Sequence, residues 1–369
     1  MTKSPWIPIF LLLIISLPLI FFITSHFIKL PLSPYSSSPP PISLSDELDD
    51  LALFNRAVNS FHPTHLAKLR IASTNKKPKI AFLFLTNTQF HFAPLWEVFF
   101  KVDNVSGVSV YKDLFNVYVH ADPNVRPEIK AQGFVFTKDR FIPAKATYRG
   151  SASLIAAERR LIANAILDDQ ENMFFSLVSP HCVLLHSFKY FYDTILQVGK
   201  HQFGEMMSVK FKSFIEVIDE DVNLWDRYNA RGKNVMLPEV KFEDFRVGSQ
   251  FFTLTRNHGL LVIRERRLWK KFRVPCVRQQ SCYPEEHYFP TLLSMQDPEG
   301  YSGYTLTRVN WTDSVDGHPH TYHPNELSKE LIYSLRKSEF KEDYMFARKF
   351  SPDCLGPLMD MADDVIFKD

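Results

Sequence analysis

The stretch Lys79–Thr86, with the sequence KIAFLFLT, places six apolar residues in an unbroken row between a lysine and a threonine. A strand with one wet face alternates apolar and polar side chains, whereas a strand buried on both faces is continuously apolar, as in parallel sheets. The stretch therefore predicts a central strand of a covered sheet. Two runs of the same type follow it, at residues 114–120 (LFNVYVH) and 172–179 (NMFFSLVS).

Segments with helical patterns separate or follow these strands, at residues 94–101, 151–168 and 188–198. In the second segment the apolar residues share one face, and Glu158, Arg159 and Arg160 are predicted to point largely outward. Further along, the patterns predict a strand at 251–255, helices at 257–272 and 286–294, and a strand or helix at 344–350. Alternating strands and helices are typical of an α/β sheet with helices on both faces.

Polar residues end each of the first three strands, at Thr86-Asn87, His120-Ala121-Asp122 and Ser179-Pro180-His181. In open α/β sheets, ligands bind outside the carboxyl ends of the strands. The three strand tips are therefore predicted to line a ligand site, although each tip taken alone is equally compatible with an ordinary loop.

The amino-terminal region differs from the rest of the chain, because residues 6–28 contain no formally charged side chain. At a rise of about 1.5 Å per residue, about 22 residues span roughly 33 Å, which is enough to cross a hydrocarbon core. We predict a transmembrane signal anchor here, with residues 1–5 as a cytosolic tail. A cleaved signal peptide is the alternative, but its apolar core is shorter and ends at a small-residue cleavage site, which Ile28–Pro31 does not provide.

Residues 29–74 are predicted to form a stem, because residues 31–45 (PLSPYSSSPPPISLS) are rich in Pro and Ser and hold too few apolar side chains to pack. Within this stem, residues 46–61 predict a short helix with Ser45 as its cap. The remaining residues, 75–369, suffice for one large domain or two fused halves.

The charge balance gives no support for a nucleic-acid partner. With 43 basic against 41 acidic residues and no basic block or tail, nothing indicates binding to nucleic acid. Asn104 and Asn310 each begin an Asn-X-Ser/Thr glycosylation sequon. Such triplets are common by chance, so they support a luminal location only weakly.

The chain has four cysteines and no C-x-x-C pair, so a zinc site or a thioredoxin-like motif has no support. Cys276 and Cys282 are close enough in sequence to form a small-loop disulfide if the domain lies in an oxidising lumen. The alternative is that these two, together with Cys182 and Cys354, are free buried thiols.

The GxGxxG, Walker A, GxSxG and HExxH motifs are absent, so the chemistries that they support lack their defining elements. The densest ionisable cluster is Glu285-Glu286-His287. Adjacent carboxylates point in different directions, so at most one is expected to enter a pocket, where it would act as a general base. The alternative is a capped helix start, with acids near its positive end.

Three further clusters each have a chemical and a plain interpretation. Arg348 and Lys349 lie next to apolar residues and would grip a diphosphate, the arginine as a planar fork and the lysine as a point charge, or they form a solvated basic pair. The tripeptide Asp219–Asp221 matches a short D-x-D that chelates a divalent cation in many enzymes. The histidines of residues 318–323 have possible metal-ligand spacing, although a loop is the simpler interpretation.

Eight segments, in the same order along the chain, resemble the plant proteins related to core-2/I-branching β-1,6-N-acetylglucosaminyltransferases. They are KIAFLFLT at 79–86, APLWEVFFK at 93–101, NVYVHADP at 116–123, AAERRLIANAILD at 156–168, RYN at 227–229, VGSQFFTLTR at 247–256, EEHYFPTLL at 285–293 and FARKFSP at 346–352. The resemblance covers nearly the whole domain, from Lys79 to Pro357. The anchor and the stem also fit a type II glycosyltransferase of the Golgi membrane, with its domain in the lumen.

The resemblance implies a glycosyltransferase A-type fold, with a Rossmann-like nucleotide-sugar half (75–200) before an acceptor half (201–369). It also implies inversion at the anomeric carbon, with Glu286 at the family's general-base position. Lys349 falls at the family's diphosphate-binding position and Arg348 is its neighbour, so a UDP-sugar is expected to bind without a metal ion or other cofactor. The D-x-D at 219–221 then becomes an acceptor-side loop.

By the same resemblance, Thr86, His120 and Asp122 are expected to line the nucleotide pocket. The residues expected to shape the sugar and acceptor pocket are Gly248, Ser249, Gln250 and Arg256, with Arg227 and Trp311 as further acceptor candidates. The implied substrates are a UDP-sugar and a hydroxyl of a glycan or glycoprotein. N-acetylglucosamine is the sugar of the nearest named relatives, and glucuronic acid and xylose are used in the wider group.

Two departures from the family pattern keep an alternative open. The stretch Ser179–Cys182 lacks the carboxylate that family members often carry there, and Pro180 removes a backbone donor. The usual Cys/Gly-rich stretch before Phe346 is missing, so a second diphosphate-binding arginine has no clear counterpart other than Arg336. The alternative is a catalytically weakened membrane protein that binds glycans or organises other enzymes.

Overall fold

The apolar run KIAFLFLT forms strand β1 (Lys79–Thr86) in the computed structural model, which describes residues 39–60, 77–103, 105–125, 132–197, 211–312, 314 and 317–369. It lies between β2 (Phe115–Ala121) and β3 (Asn172–Val178) and pairs in parallel with both. Its residues from Ile80 to Phe84 are buried. The prediction of a central strand with parallel neighbours is therefore confirmed.

The later strands complete one large and one small sheet. They are β4 (Val183–Leu184), β5 (Ser213–Glu216), β6 (Thr253–Thr255), β7 (Tyr301–Gly303), β8 (Thr307–Val309) and β9 (Phe346–Arg348). The large sheet has the order β2-β1-β3-β6-β5-β7, and the small one has the order β4-β9-β8. Because β6 runs antiparallel to β3 and β5, the large sheet is mixed, and it draws strands from both the 75–200 and the 201–369 ranges.

Helices cover both faces of the large sheet. In chain order they are α1 (Leu44–Asn59), α2 (Ala93–Phe99), α3 (Ala152–Asp168), α4 (Phe188–Ile195), α5 (Leu224–Tyr228), α6 (Arg256–Arg264), α7 (Arg267–Phe272), α8 (Tyr288–Gln296), α9 (Lys329–Arg336) and α10 (Leu355–Asp360). Side chains alternate across a strand. Ile80, Phe82 and Phe84 of β1 therefore pack with α2, α4 and α10 on one face, whereas Ala81 and Leu83 pack with α3, α6 and α8 on the other.

Helix α3 begins after Ser151, whose hydroxyl accepts a hydrogen bond from the backbone N–H of Ser153. The prediction that Glu158, Arg159 and Arg160 point outward is wrong, because all three side chains are buried. Other elements cover the face of α3 that would otherwise meet water: α1 packs across it, and α7 and the loop before β6 supply further contacts. Charged residues are buried only where they have hydrogen-bond or ion-pair partners, and each of these three side chains has such a partner.

Helix α1 corresponds to the helix predicted at 46–61, but its cap is Ser43 and not Ser45. The Ser43 hydroxyl accepts from the N–H of Asp46 at 3.1 Å. Residues 41–369 form one compact unit, so part of the range predicted as a stem belongs to the folded domain. Among the described residues no helix is both long and apolar enough to cross a membrane, and the predicted span 6–28 lies outside them.

Two further sequence predictions are resolved by the structure. The helix predicted at 257–272 is interrupted between α6 and α7, where the Glu265 carboxylate accepts the backbone N–H groups of Leu268 (2.8 Å) and Trp269 (2.9 Å). Cys276 and Cys282 form the predicted small-loop disulfide. The alternative with four free thiols is therefore wrong, although Cys182 and Cys354 are free and buried.

Candidate active site

Glu286 ends a short 3₁₀ helix, Pro284–Glu286, that begins with a proline suited to the first helical position. A backbone contact fixes this turn to the strand-like segment before β6, because the N–H of Gly248 donates to the Glu286 carbonyl at 2.9 Å. A Cβ atom on Gly248 would stand only 2.0 Å from the carbonyl oxygen of Glu216. Only glycine permits this close approach to the backbone of Glu216. Gly248 thus fixes the position of Glu286 through its backbone N–H and not through a side chain.

The Glu286 carboxylate faces a partly open space and is held by one cation. Arg227 of α5 donates from Nη1 to Oε2 of Glu286 at 2.8 Å, and the Glu286 side chain keeps 28% of its surface exposed. Burial raises the pKa of Glu286 above its usual range, and the Arg227 guanidinium opposes that shift. A carboxylate with a raised pKa and an open side has the properties of a general base.

His287 lies next to the guanidinium of Arg227 and supports the pair that Arg227 forms with Glu286. Burial lowers the pKa of His287 to about 3, so its ring is neutral. Its Nδ1–H donates to the Arg246 carbonyl at 2.8 Å, which leaves Nε2 to face Nη1 of Arg227 at 3.5 Å. The ring also stacks on Phe245 at 4.6 Å between centroids. His287 therefore orients Arg227, which in turn orients the Glu286 carboxylate.

Glu285 has the opposite environment from its neighbour. Its side chain is buried, its Oε1 accepts the N–H of Gly150 at 3.2 Å, and its Oε2 has no hydrogen-bond partner among the described residues. Burial raises the pKa of Glu285 to about 8. Glu158 is buried close by, with its pKa raised well above the usual range by burial, and it accepts from Nε2 of Gln250 at 2.6 Å. Glu285 is therefore protonated near neutral pH, and the surroundings of Glu158 also favour its neutral form.

Cations line the other side of the site, at the end of β9. The Arg348 guanidinium lies 4.4 Å from the centre of the Phe251 ring, and Nζ of Lys349 lies 3.1 Å from Nδ1 of His318. Burial, Arg348 and Arg149 together lower the pKa of Lys349 to about 8. We call Arg149, Arg348 and Lys349 the basic cluster.

The carboxylate and the basic cluster share one electrostatic environment. The charges of Arg149 and Arg348 both lower the pKa of Glu286 and so favour its ionised form. His181, from the tip of β3, also borders the cluster, since its carbonyl accepts the N–H of Phe350 at 3.4 Å and its pKa is lowered by burial and by the charges of Lys349 and Arg348. The tip of β3 therefore lies beside the basic cluster.

The three predicted nucleotide-binding residues meet at the tips of β1 and β2. The carbonyl of Thr86 accepts the N–H of Asp122 at 3.0 Å, and the Asp122 carboxylate accepts from the hydroxyl (2.6 Å) and N–H (3.1 Å) of Thr147. His120 is fully buried, and its Nε2 accepts from the N–H of Lys145 at 3.2 Å. These side chains hold the loop that leads to Arg149, and burial lowers the pKa of His120 to about 4.

The predicted sugar and acceptor residues separate into two groups. Gly248 contacts the backbone of Glu286, the hydroxyl of Ser249 accepts the N–H of Phe251 at 3.1 Å, and Gln250 binds Glu158. Arg256, in contrast, donates to the carbonyl of Asn172 at 2.9 Å, at the amino end of β3. It therefore lies at the opposite end of the strand from the basic cluster and does not join this site.

The remaining predicted residues lie around or outside the site. Trp311 is 55% exposed, and Nδ2 of Asn310 donates to the Tyr322 hydroxyl at 3.2 Å, whereas Asn104 lies outside the described residues. The side chain of Arg336 is committed elsewhere, because it donates to the carbonyls of Leu185 (2.6 Å) and two residues near the carboxyl terminus. Arg336 is therefore wrong as the second diphosphate-binding arginine.

The two sequence patterns with metal-ligand character are also placed. Asp219–Asp221 is an exposed loop in which Oδ1 of Asp221 accepts the N–H of Asn223 at 2.8 Å. His320 pairs with Glu326 at 2.7 Å. Within the described ranges no three His, Cys, Asp or Glu side chains converge as metal ligands would.

Sequence reasoning missed Arg149 and the proximity of His318 to the basic cluster. Both lie in loops at the carboxyl edge of the sheet, one directly before the cap of α3 and the other after β8. The available signal for Arg149 was its position in the connection between β2 and α3, because such connections meet at the ligand-binding edge.

Comparison with known proteins identifies the family. The model of the core-2/I-branching enzyme family matches residues 80–336, which is more than half of the chain. The chain belongs to the core-2/I-branching enzyme family. It is also 25% identical over 332 residues to Glycosyltransferase BC10 of Oryza sativa subsp. japonica, a match that covers 77% of this chain and 76% of that protein. The family, together with the name of this relative, supports a glycosyltransferase activity, which implies a sugar donor and a glycan acceptor.

Proposed function

We propose that this core-2/I-branching enzyme transfers a sugar from a UDP-sugar to a hydroxyl of a glycan or glycoprotein, with inversion at the anomeric carbon. N-acetylglucosamine is the first candidate for the sugar, and a glucuronosyl or xylosyl donor is the alternative. The observation that carries the proposal is the Glu286 carboxylate, held by Arg227 at 2.8 Å, in the electrostatic field of the basic cluster.

In this mechanism Glu286 accepts the proton of the acceptor hydroxyl as the oxygen attacks the anomeric carbon. The bond between that carbon and the diphosphate oxygen breaks on the opposite side, and UDP leaves with its electron pair. Lys349 and Arg348 would stabilise the negative charge that develops on the diphosphate, without a metal ion. Donors already in place cost no reorganisation when the charge develops.

The same proposal places the domain in the Golgi lumen, behind a type II anchor at residues 6–28. The Cys276–Cys282 disulfide supports this, because disulfides persist in oxidising compartments and are rare in the cytosol. The stem would hold the active site away from the bilayer.

Glu286→Gln in the full-length protein, solubilised in detergent, tests the mechanism. The amide keeps the shape of the carboxylate but accepts no proton, so kcat should fall about 10²- to 10⁴-fold while UDP binding, measured by calorimetry, stays unchanged. Glu243→Gln, an exposed carboxylate paired with Lys241, is the matched control. Unchanged turnover in the Glu286 variant would exclude this residue as the base.

A donor screen decides between the proposed sugars and the alternative of a weakened, glycan-binding protein. UDP-N-acetylglucosamine, UDP-glucuronic acid and UDP-xylose are offered with a chelator present and then with Mn²⁺. Turnover with chelator supports the metal-independent mechanism, and turnover that needs Mn²⁺ contradicts it. Absence of UDP binding by the wild-type protein would favour the non-catalytic alternative, for which the Ser179–Cys182 departure is the motivating observation.

A further inference from the structure

Arg149 and Lys349 approach the same imidazole ring from its two sides. Nη1 of Arg149 lies 2.6 Å from Nε2 of His318, and Nζ of Lys349 lies 3.1 Å from Nδ1 of the same ring. Nη2 of Arg149 also donates to the carbonyl of Gly317 at 2.9 Å. A neutral imidazole accepts at only one ring nitrogen, because the other carries hydrogen. The ring therefore cannot satisfy both cations.

Among the described residues, the positive charges of this group outnumber the carboxylate charge that faces them. Glu286 attracts Arg348, but in the described part of the chain no carboxylate forms an ion pair with Arg149, Arg348 or Lys349. Nε of Arg348 is buried and has no hydrogen-bond partner within the described ranges. Burial lowers the pKa of Lys349, and the charges of Arg348 and Arg149 lower it further, so the neighbouring cations repel one another. A multivalent anion with several oxygens would relieve this repulsion.

We propose that Arg149 is a diphosphate-binding residue of this enzyme, presented to the donor by His318. This inference rests on the proposed function, since it names a further contact to the same donor. Arg149 takes the role of the second diphosphate-binding arginine. Arg336 does not take this role, because its Nε and Nη2 already donate to backbone carbonyls. Arg149 comes from the loop between β2 and α3 and not from the carboxyl-terminal region. When the diphosphate binds, its oxygens accept from Arg149 and Lys349 in place of the ring nitrogens of His318.

The position of Arg149 relative to Glu286 supports the assignment. The backbone N–H of the next residue, Gly150, donates to Glu285, which is the chain neighbour of Glu286. The charge of Arg149 lowers the pKa of both Glu285 and Glu286. The charge of Arg149 therefore acts on both the proton-accepting carboxylate and Lys349, the two groups that act on the acceptor hydroxyl and on the leaving diphosphate in the proposed mechanism.

Calorimetry on the full-length protein in detergent tests the proposal with three probes: UDP, uridine and inorganic pyrophosphate. Arg149→Gln should weaken UDP binding about 10- to 100-fold, which corresponds to the loss of a charge-assisted hydrogen bond. Uridine has no diphosphate, so its binding should not change. Arg149→Lys should bind UDP with intermediate affinity, because lysine keeps the charge but not the planar fork.

Arg56→Gln is the matched control, because Arg56 is an exposed arginine in the last turn of α1. It should bind all three probes as the wild type does. Equal UDP affinity in wild type and Arg149→Gln would overturn the inference while leaving the proposed function intact, as would an equal loss of uridine binding. If the wild type binds no UDP, the proposed function fails, and pyrophosphate binding then tests the anion site alone. Pyrophosphate binding that is lost in Arg149→Gln but kept in Arg56→Gln supports the anion site. Equal pyrophosphate binding in wild type and Arg149→Gln contradicts it.

Discussion

Two adjacent glutamates show how strongly the surroundings of a residue decide its chemistry. Glu286 turns towards Arg227 and keeps an open side, whereas Glu285 is buried against the backbone of Gly150. Burial raises the pKa of both, but only Glu286 has a cation in contact that favours its charged form. The contacts of Glu286 therefore favour the ionised form that a general base requires, whereas Glu285 is a neutral acid.

Arg227→Met should shift the acid limb of the pH–rate profile. The guanidinium lowers the pKa of Glu286, so its loss should raise that pKa and move the acid limb of kcat/KM to higher pH. The pH dependence of transfer, measured from pH 5 to 8, checks this. Arg227→Lys should restore part of the shift, and an acid limb that does not move would show that Arg227 does not tune the base.

At the scale of elements, helix α1 is joined to the domain by buried charge. Asp50 accepts from Nε (2.8 Å) and Nη2 (2.7 Å) of Arg160 in α3, and Nζ of Lys145 lies 3.5 Å from the same carboxylate. Arg160 also lies 3.1 Å from Nε2 of His120 at the tip of β2. This helix, which lies within the range predicted as the stem, therefore supports the strand tip that carries the predicted nucleotide residue His120.

Asp50→Asn should destabilise the domain by about 3 to 5 kcal/mol, because it leaves the buried Arg160 without its counter-charge. Urea unfolding followed by tryptophan fluorescence measures this change. Glu47→Gln in the same helix is the control: Glu47 pairs with the half-exposed Arg273, and removing such a pair should cost less than about 1 kcal/mol. Similar costs for both variants would argue against a structural role for the Asp50–Arg160 pair.

At the scale of the whole molecule, strands from both halves of the chain form one sheet, and their loops bring Glu286 and the basic cluster to its carboxyl edge. This arrangement buries several ionisable groups in surroundings that favour their neutral forms. Burial raises the pKa of Glu285 to about 8 and that of Glu158 well above its usual range, and it lowers the pKa of His120 to about 4 and that of His287 to about 3. The free energy of unfolding therefore depends on pH through groups beneath the active site.

The contribution of Glu285 to the midpoint of thermal unfolding should fall as pH rises from about 6.5 to 8. The pKa of Glu285 is about 8 in the folded protein and lies near its ordinary value of 4.5 in the unfolded chain, so this carboxyl group binds more protons in the folded state between these values. Its stabilising contribution is complete below the unfolded pKa and is lost as pH rises through the folded one. His120, His287 and Lys349 act in the opposite direction, because burial lowers the pKa of each in the folded protein. The contribution of Glu285 is therefore measured as the difference between wild type and Glu285→Gln.

Glu285→Gln should remove this contribution, because the amide does not titrate, so the wild-type midpoint should fall relative to that of the variant between pH 6.5 and 8. Fluorescence-detected melting at several pH values checks it. Glu243→Gln, on the surface, should keep the wild-type pH dependence. The same pH dependence in wild type and Glu285→Gln would contradict the protonated state of Glu285.

Local periodicity and chain order were enough to predict β1, β2, β3 and β6, several of the helices and the family resemblance, and the short separation of Cys276 and Cys282 made their disulfide one of two alternatives. The sequence also singled out Glu286 in its densest ionisable cluster, and Arg348 and Lys349 as cations next to apolar residues. It did not show that Glu158, Arg159 and Arg160 are buried, because helical periodicity does not reveal which distant helix covers a charged face.

Only the tertiary structure separated Arg149 from Arg336. Both are single arginines in loops or helix ends, and nothing in their local sequence distinguishes an arginine that binds carbonyls near the carboxyl terminus from one that lies beside other cations. The same is true of Arg256, which sits at the wrong end of its strand for the site. Electrostatic interactions act through space between groups more than 100 residues apart, so their partners are decided by the folded arrangement and not by position along the chain.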